Sequence, residues 1–352
     1  MQRYGYTGVL RRESNRRKFA IITTLFFVVI VMGEIACMIY IYLICGNELR
    51  DHYSGGRVTE IYKPTYVKLR QNTIWKNYKI NGDGLLGDQF SDKSENAIKV
   101  LAIGGSTSFY GNYMNAVKKL YAKRLAKKQK VYFSSSGTPG YLSYQSLILF
   151  KRNLIQLNPN IIIIYHGIND LLPLRVRGVD VNDFNDCMAR YTSLIGNSIN
   201  YRDNLFDRSA LYTLMYNQIL YIKRFFITKW YDEMDLKKLR SFENNIEDLI
   251  DTAKLHGMTV IVLTFANSKV NENRKSPWGI ESVAAKGIAL NNAVLFKLAA
   301  KHKVTFVDAA GYLSCKKEYF IDFCHFSEKG VNKFAEILMP HIALEIENLQ
   351  SS

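Results

Sequence analysis

Five short β-branched runs alternate with longer stretches of helical period. The runs are KVLAIG from Lys99, KVYFSS from Lys130, NIIIIYHG from Asn160, MTVIVLTF from Met258 and KVTFVDA from Lys303, and the helical stretches cover 114–128, 144–157, 242–256, 283–301 and 328–348. Strands that alternate with helices build βαβ units, whose crossovers make the sheet parallel. The run Ile161 to Ile164 is apolar without interruption, which suits a strand covered on both faces. An α/β domain with a mostly parallel sheet is therefore expected over 98–352. The alternation breaks at about 171–240, where LYTLMYNQILYIKRFFITKW gathers Tyr, Phe and Leu. That segment reads as an inserted helical subdomain whose aromatic stripe is first a packing face, with a sugar platform or a membrane-docking face as alternatives.

Ahead of this domain, residues 19–45 read FAIITTLFFVVIVMGEIACMIYIYLIC, long enough to cross a bilayer as a helix and interrupted only by Glu34. The run exceeds the h-region of a cleavable signal peptide and lacks an A-x-A-like exit, so a retained transmembrane helix is expected. Residues 1–18 form a basic tail, with Arg11, Arg12, Arg16, Arg17 and Lys18 set against Glu13. The positive-inside rule then puts the N-terminus in the cytoplasm and everything after Gly46 outside it, at the cell membrane as a single-pass protein. Glu34 in mid-span either has a helix partner or is tolerated beside a polar neighbour, the plainer reading. Residues 46–97 are turn-rich without sustained period and read as a membrane-proximal lead-in.

The net charge of +16 is no nucleic-acid signature in such a topology, and no nucleic-acid partner is expected. The densest basic run, KKLYAKRLAKKQK over 118–130, carries Leu120, Tyr121 and Leu125 at helical spacing, so its lysines form a solvated face. Attraction to anionic lipid or an acidic polysaccharide is the sharper alternative. Of five cysteines, Cys37 and Cys45 belong to the span. Cys187, Cys315 and Cys324 remain, and a Cys315–Cys324 disulfide is chemically permitted outside the cytoplasm.

Ligands in a doubly wound sheet bind beyond the carboxyl ends of the strands, and the unusual polar residues of this chain collect there. Gly104-Gly105-Ser106 follows the first run, SSSGTPG with Gly137 the second, and HGIND with Asn169 and Asp170 the third, while IDFCHFSEKG precedes the last helix. The first loop, LAIGGSTSFYG, lacks the lysine of a phosphate-binding P-loop and the third glycine of a dinucleotide loop. It presents a nucleophile instead. Acyl transfer by a serine needs a hydroxyl, a base, a group that fixes the tautomer of the base, and donors for the oxyanion. Ser106 supplies the first, His325 the second and Asp322 the third. The backbone N–H groups of Ser106 and Gly137 and the side-chain amide of Asn169 supply the oxyanion donors. Zinc held by Cys315, Cys324 and His325 is a poor alternative, because adjacent ligands at 324 and 325 fit no usual spacing, so no metal or cofactor is expected. His166 either is a satisfied histidine at a strand end or lines the pocket.

The segments GGST, SGTPG, GIND and DFCH resemble the four blocks of the SGNH/GDSL hydrolase superfamily, with Ser106, Gly137, Asn169 and His325 at its invariant positions. The likeness runs from about Tyr78 to Leu349, and INGDGLLG resembles the lead-in of membrane-anchored bacterial members. It implies a flavodoxin-like three-layer α/β/α sandwich and metal-independent esterase, lipase or acetyl-transfer chemistry. One departure stands out: Gly105 replaces the aspartate of the Gly-Asp-Ser-Leu signature, which weakens a lipase reading without touching the triad. The expected function is a membrane-anchored serine esterase acting on ester groups, O-acetyl above all, of an extracytoplasmic glycan or envelope substrate. Two alternatives stay open: an O-acyltransferase of exported polysaccharide served by a multi-span membrane partner, and a non-catalytic glycan-binding module.

Overall fold

In a computed structural model the described residues are 5–43, 59–62, 66–75, 77–91, 97–125, 130–175, 240–276 and 278–351, with isolated positions between 209 and 215. Most of the expected insertion at 171–240, including nearly all of its aromatic stripe, and Cys187 lie outside them. The chain divides into two compact units, residues 1–56 with 201–227, and residues 57–200 with 228–352.

In the first unit, helix α1 (Gly5–Leu43) is continuous, so the basic tail and the apolar run share one helix. Within it Lys18–Tyr40 is long and apolar enough to cross a membrane, about 35 Å at 1.5 Å per residue. Glu34 has partners in the expected insertion: its Oε2 accepts from the Ser209 hydroxyl at 2.7 Å and from the Leu211 N–H at 3.0 Å.

The second unit begins with a hairpin, β1 (Thr59–Tyr62) and β2 (Tyr66–Leu69), followed by β3 (Thr73–Trp75), β4 (Tyr78–Ile80) and β5 (Leu86–Gly87). The expected alternation follows: β6 (Ile98–Gly104), α2 (Ser106–Tyr110), α3 (Tyr113–Leu125), β7 (Val131–Ser135), α4 (Ser143–Leu149) and β8 (Ile161–Tyr165). Beyond the insertion come α5 (Arg240–Leu255), β9 (Thr259–Leu263), the two-residue strands β10 (Lys275–Ser276) and β11 (Gly279–Ile280), α6 (Glu281–His302), β12 (Thr305–Val307), α7 (Ala309–Leu313) and α8 (Glu328–Ser351).

Eight strands form one sheet in the order β12-β9-β8-β6-β7-β5-β4-β3. The five strands expected from the alternation pair in parallel, as β12-β9-β8-β6-β7. Beyond β7 the order continues antiparallel through β5, β4 and β3, an extension that the lead-in did not announce because strands of two or three residues carry no readable period. Every residue of β6 and β8 is buried. Successive side chains point to opposite faces, so Val100 and Ala102 join one core with α3 and α8 while Leu101 and Ile103 join another with α4, α5 and α6. This is the three-layer α/β/α sandwich. Among the parallel strands β6 lies between β7 and β8, so the chain winds outward in both directions from it, and the crevice beyond the carboxyl ends of β6 and β8 is the topological switch point.

The helix expected at 144–157 is regular only to Leu149 and tightens through one wide π turn and a 3₁₀ turn to Leu157, where Asn158 ends it at φ +47°. On the opposite face Phe334 of α8 stacks its ring within 5.1 Å of Tyr113, Tyr165 and Phe326 and is fully buried. Phe334→Ala leaves a cavity between α8 and the sheet. It should destabilise the domain by about 3–5 kcal/mol, read as a lower urea midpoint of the full chain.

Candidate active site

Ser106 opens α2 one residue after Gly105, directly beyond the carboxyl end of β6. As a first-turn residue its N–H has no acceptor within the helix and points out of the N-terminal end. Gly105 is required by close approach. A Cβ there would stand 2.9 Å from Asn169 Nδ2 and 3.3 Å from the Tyr141 carbonyl, so any side chain at this position would have to displace the Asn169 amide from where it now lies.

His325 comes from the loop between Phe320 and α8, 219 residues further along the chain. An isolated bridge between Phe320 and Phe326 closes the loop, and both rings are buried, as are Phe323 and Cys324. Within the loop Asp322 Oδ1 accepts from the N–H groups of Cys324 at 2.9 Å and His325 at 2.8 Å, the local turn that an Asp side chain favours. Its other oxygen lies 2.7 Å from His325 Nδ1, and His325 Nε2 lies 2.9 Å from Ser106 Oγ. Partial burial opposes the charge on Asp322. The ring and backbone donors of His325 and the N–H of Cys324 outweigh it and hold the carboxyl down at about 2. An ionised Asp322 only accepts, so Nδ1 carries the imidazole proton and the Nε2 lone pair faces the serine hydroxyl. A serine hydroxyl, an imidazole and a carboxylate are thus bonded in series, the arrangement that can deprotonate an attacking alcohol.

Asn169 follows β8 and is held at both ends of its amide. Nδ2 donates to the Tyr141 carbonyl at 2.9 Å, and Oδ1 accepts from the Trp278 indole N–H at 3.1 Å. An amide nitrogen carries two N–H groups, so Nδ2 has a second one besides that given to Tyr141. Gly137, after β7, lies against the nucleophile helix so closely that a Cβ would stand 2.7 Å from the backbone of Ser108 and Phe109. Its N–H donates to Ser135 Oγ at 3.1 Å, a bond it would have to release to serve an oxyanion.

Other polar groups near the loops are structural. Asp170 accepts from the Ser143 N–H at 3.0 Å and the Ser143 hydroxyl at 2.5 Å, and Asn245 donates to that hydroxyl at 3.1 Å, which ties the loop after β8 to the start of α4 and to α5. Burial pushes the Asp170 carboxyl up to about 7 against these bonds. His166 is buried with Nε2 2.9 Å from Ser146 Oγ, and burial lowers it to about 3, so it is the satisfied strand-end histidine rather than a pocket group. Cys315 is exposed and Cys324 buried, and both are free thiols. Asp322, Cys324 and His325 bring one donor each within 4.8 Å, without Cys315. Asp322 and His325 Nδ1 already satisfy each other, and burial pushes the Cys324 thiol well up, so this set suits a triad better than a metal. Three site neighbours had no signal in the sequence: Tyr141 contributes only its carbonyl, while Tyr110 and Trp278 flank the His325 ring at 5.6 and 6.5 Å.

Two predictions follow from these contacts. Asp170 binds its proton more tightly in the folded chain than in the unfolded one, so its contribution is greatest at low pH and is lost as pH rises from about 4 to about 7. Asp170→Asn should therefore gain stability relative to wild type across that window and level off above it, read from denaturant midpoints at a series of pH values. Gly105→Ala should displace the Asn169 amide and lower the kcat of any serine-dependent turnover by up to roughly 10²-fold with little change in thermal midpoint, read by steady-state kinetics beside a melting curve.

Solved structures of similar fold include a lipase/acylhydrolase from Enterococcus faecalis, 14% identical with a TM-score of 0.43 over 70% of this chain and 95% of that one. The acetylxylan esterase Axe2 from Geobacillus stearothermophilus is 15% identical with a TM-score of 0.44, over 72% and 96%. A GDSL-like lipase from Bacteroides thetaiotaomicron is 15% identical with a TM-score of 0.42, over 70% and 87%. No curated protein matches the sequence. The model of one family does, over residues 85–332, a stretch that contains β6 to β12 and all of Ser106, Gly137, Asn169, Asp322 and His325. The chain belongs to the GDSL-like lipase/acylhydrolase family.

Proposed function

We propose that this chain is a membrane-anchored serine esterase that removes a small acyl group, an O-acetyl, from a glycan outside the cytoplasm. The hydrogen-bonded series Ser106–His325–Asp322 carries the reading. Ser106 Oγ attacks the ester carbonyl while His325 Nε2 takes its proton, and Asp322 holds the imidazolium that forms. The oxyanion receives the N–H of Ser106, the spare N–H of Asn169 and, once released from Ser135, the N–H of Gly137. Collapse breaks the ester C–O bond, and His325 returns the proton to the leaving alcohol. Water then attacks the acyl-serine by the same route and restores the free hydroxyl.

A sugar as leaving alcohol is supported by Tyr110. Its ring is half-buried and lies 5.6 Å from that of His325, beside the point where that alcohol departs, and an aromatic surface suits the C–H face of a pyranose. Location is supported by the basic residues ahead of Lys18–Tyr40, which favour a cytoplasmic N-terminus and an external domain of the membrane-anchored bacterial kind. An acyl-serine is equally open to a sugar hydroxyl, so transfer differs from hydrolysis only in the acceptor.

Release of 4-nitrophenol from its acetate by the full chain in detergent, beside Ser106→Ala, tests the reading. Turnover should fall by at least roughly 10³-fold in the variant. A wild-type rate no higher than the variant's sinks the hydrolase reading and leaves transfer or simple binding.

A further inference from the structure

The segment Asn271–Glu281, between β9 and α6, holds the small β10–β11 hairpin and carries Trp278 to the Asn169 amide. It is fastened at its base by a buried carboxylate. Glu281, fully buried at the start of α6, pairs with the Arg274 Nε, accepts from the Asn271 N–H at 2.9 Å and donates its own N–H to the Arg274 carbonyl at 3.0 Å. At the tip Ser276 Oγ donates to the Gly279 carbonyl at 2.8 Å and accepts from the Trp278 N–H at 3.3 Å. A buried charge persists only when paired, so the base of this strap is fixed, and the Trp278 ring packs into the same core as β8 and α8.

The one polar atom of that ring ends on Asn169. An amide can be built in two orientations, and here the partners decide between them. The Tyr141 carbonyl can only accept and the Trp278 indole N–H can only donate. A flipped amide would set oxygen against oxygen and N–H against N–H, leaving both buried partners unsatisfied. Without the indole donor, the Asn169 carbonyl loses its counterpart and the preference between the orientations weakens. On the other side Asn291 of α6 donates to the Gly167 carbonyl at 2.8 Å, so the backbone of the Asn169 loop is braced independently of Trp278.

We infer that Trp278 is a positioning residue: its indole N–H locks the Asn169 amide in the one orientation that turns an N–H toward the oxyanion. This rests on the esterase reading above. The lock sits on a strap separate from the four blocks, and it acts on kcat because the oxyanion exists only in the transition state.

A double-mutant cycle on the full chain tests it, using 4-nitrophenyl acetate with wild type, Ser106→Ala, Trp278→Phe, Asn169→Ala and the double variant Asn169→Ala/Trp278→Phe. Trp278→Phe keeps the ring and removes the donor. It should lower kcat by roughly tenfold, with KM within about twofold and the thermal midpoint unchanged. Asn169→Ala should lower kcat by roughly 10²–10³-fold, and adding Trp278→Phe should cost nothing more. Full activity in Trp278→Phe, or losses that multiply in the double variant, overturns the inference. A second readout needs neither turnover nor a folded Trp278 variant. The chain has 3 tryptophans, so the Trp278 indole N–H resonance can be assigned, and Asn169→Ala should shift it. An unmoved resonance overturns the lock. If wild type shows no Ser106-dependent turnover but the resonance moves, the lock stands and the esterase reading has failed.

Discussion

The pairing of β6 with β8, both strands buried along their whole length, is the constraint on which the site depends. Two strands covered on both faces can carry polar chemistry only where they end, so the serine and the asparagine emerge side by side at the switch point of the sheet. The remaining groups arrive from elsewhere. His325 and Asp322 come on a loop clamped by buried phenylalanines ahead of α8, and Trp278 comes on a strap clamped by a buried carboxylate ahead of α6. Each functional side chain is therefore held by packing or by a paired charge rather than by the loop that bears it.

Inside the site, electrostatics separates roles that residue types alone leave open. Asp322 keeps its charge because three hydrogen bonds, two of them from His325, offset its partial burial, and it can fix the imidazole tautomer. Asp170, next to the asparagine, has lost that balance to full burial and serves as a tie between loop and helix. His166, three residues before Asn169, is kept neutral by its surroundings. One acid and one base stand in line with the serine, and their chemical twins on either side of Asn169 hold the scaffold.

Much of this was legible in the sequence, for physical reasons. The five parallel strands and the helices between them were visible because buried strands are uninterrupted apolar runs and amphipathic helices have a period. The four polar loops were visible because glycine, asparagine and histidine at strand ends break those patterns. The antiparallel extension from β5 to β3 was not, since pairs and triplets of residues have no period. Trp278 was equally silent, because an aromatic residue in a loop looks the same whether it fills space or donates a bond. The reason for Gly105 needed coordinates: the amide that excludes a side chain there lies 64 residues away in the chain. Glu34 left a helix partner and a polar neighbour open in the sequence, and which groups meet it could not be read there because Ser209 and Leu211 lie far down the chain.

The separation of 219 residues between the serine and the histidine also sets an order of events in the life of the chain. Ser106 leaves the ribosome early with β6, while His325 leaves near the end, just ahead of α8. The contact between them is among the most non-local of the described residues, and non-local contacts carry the largest loop-closure cost. Until His325 has been made, Ser106 has no imidazole beside it. Chemistry that needs both residues therefore waits for nearly the whole domain to be made and packed.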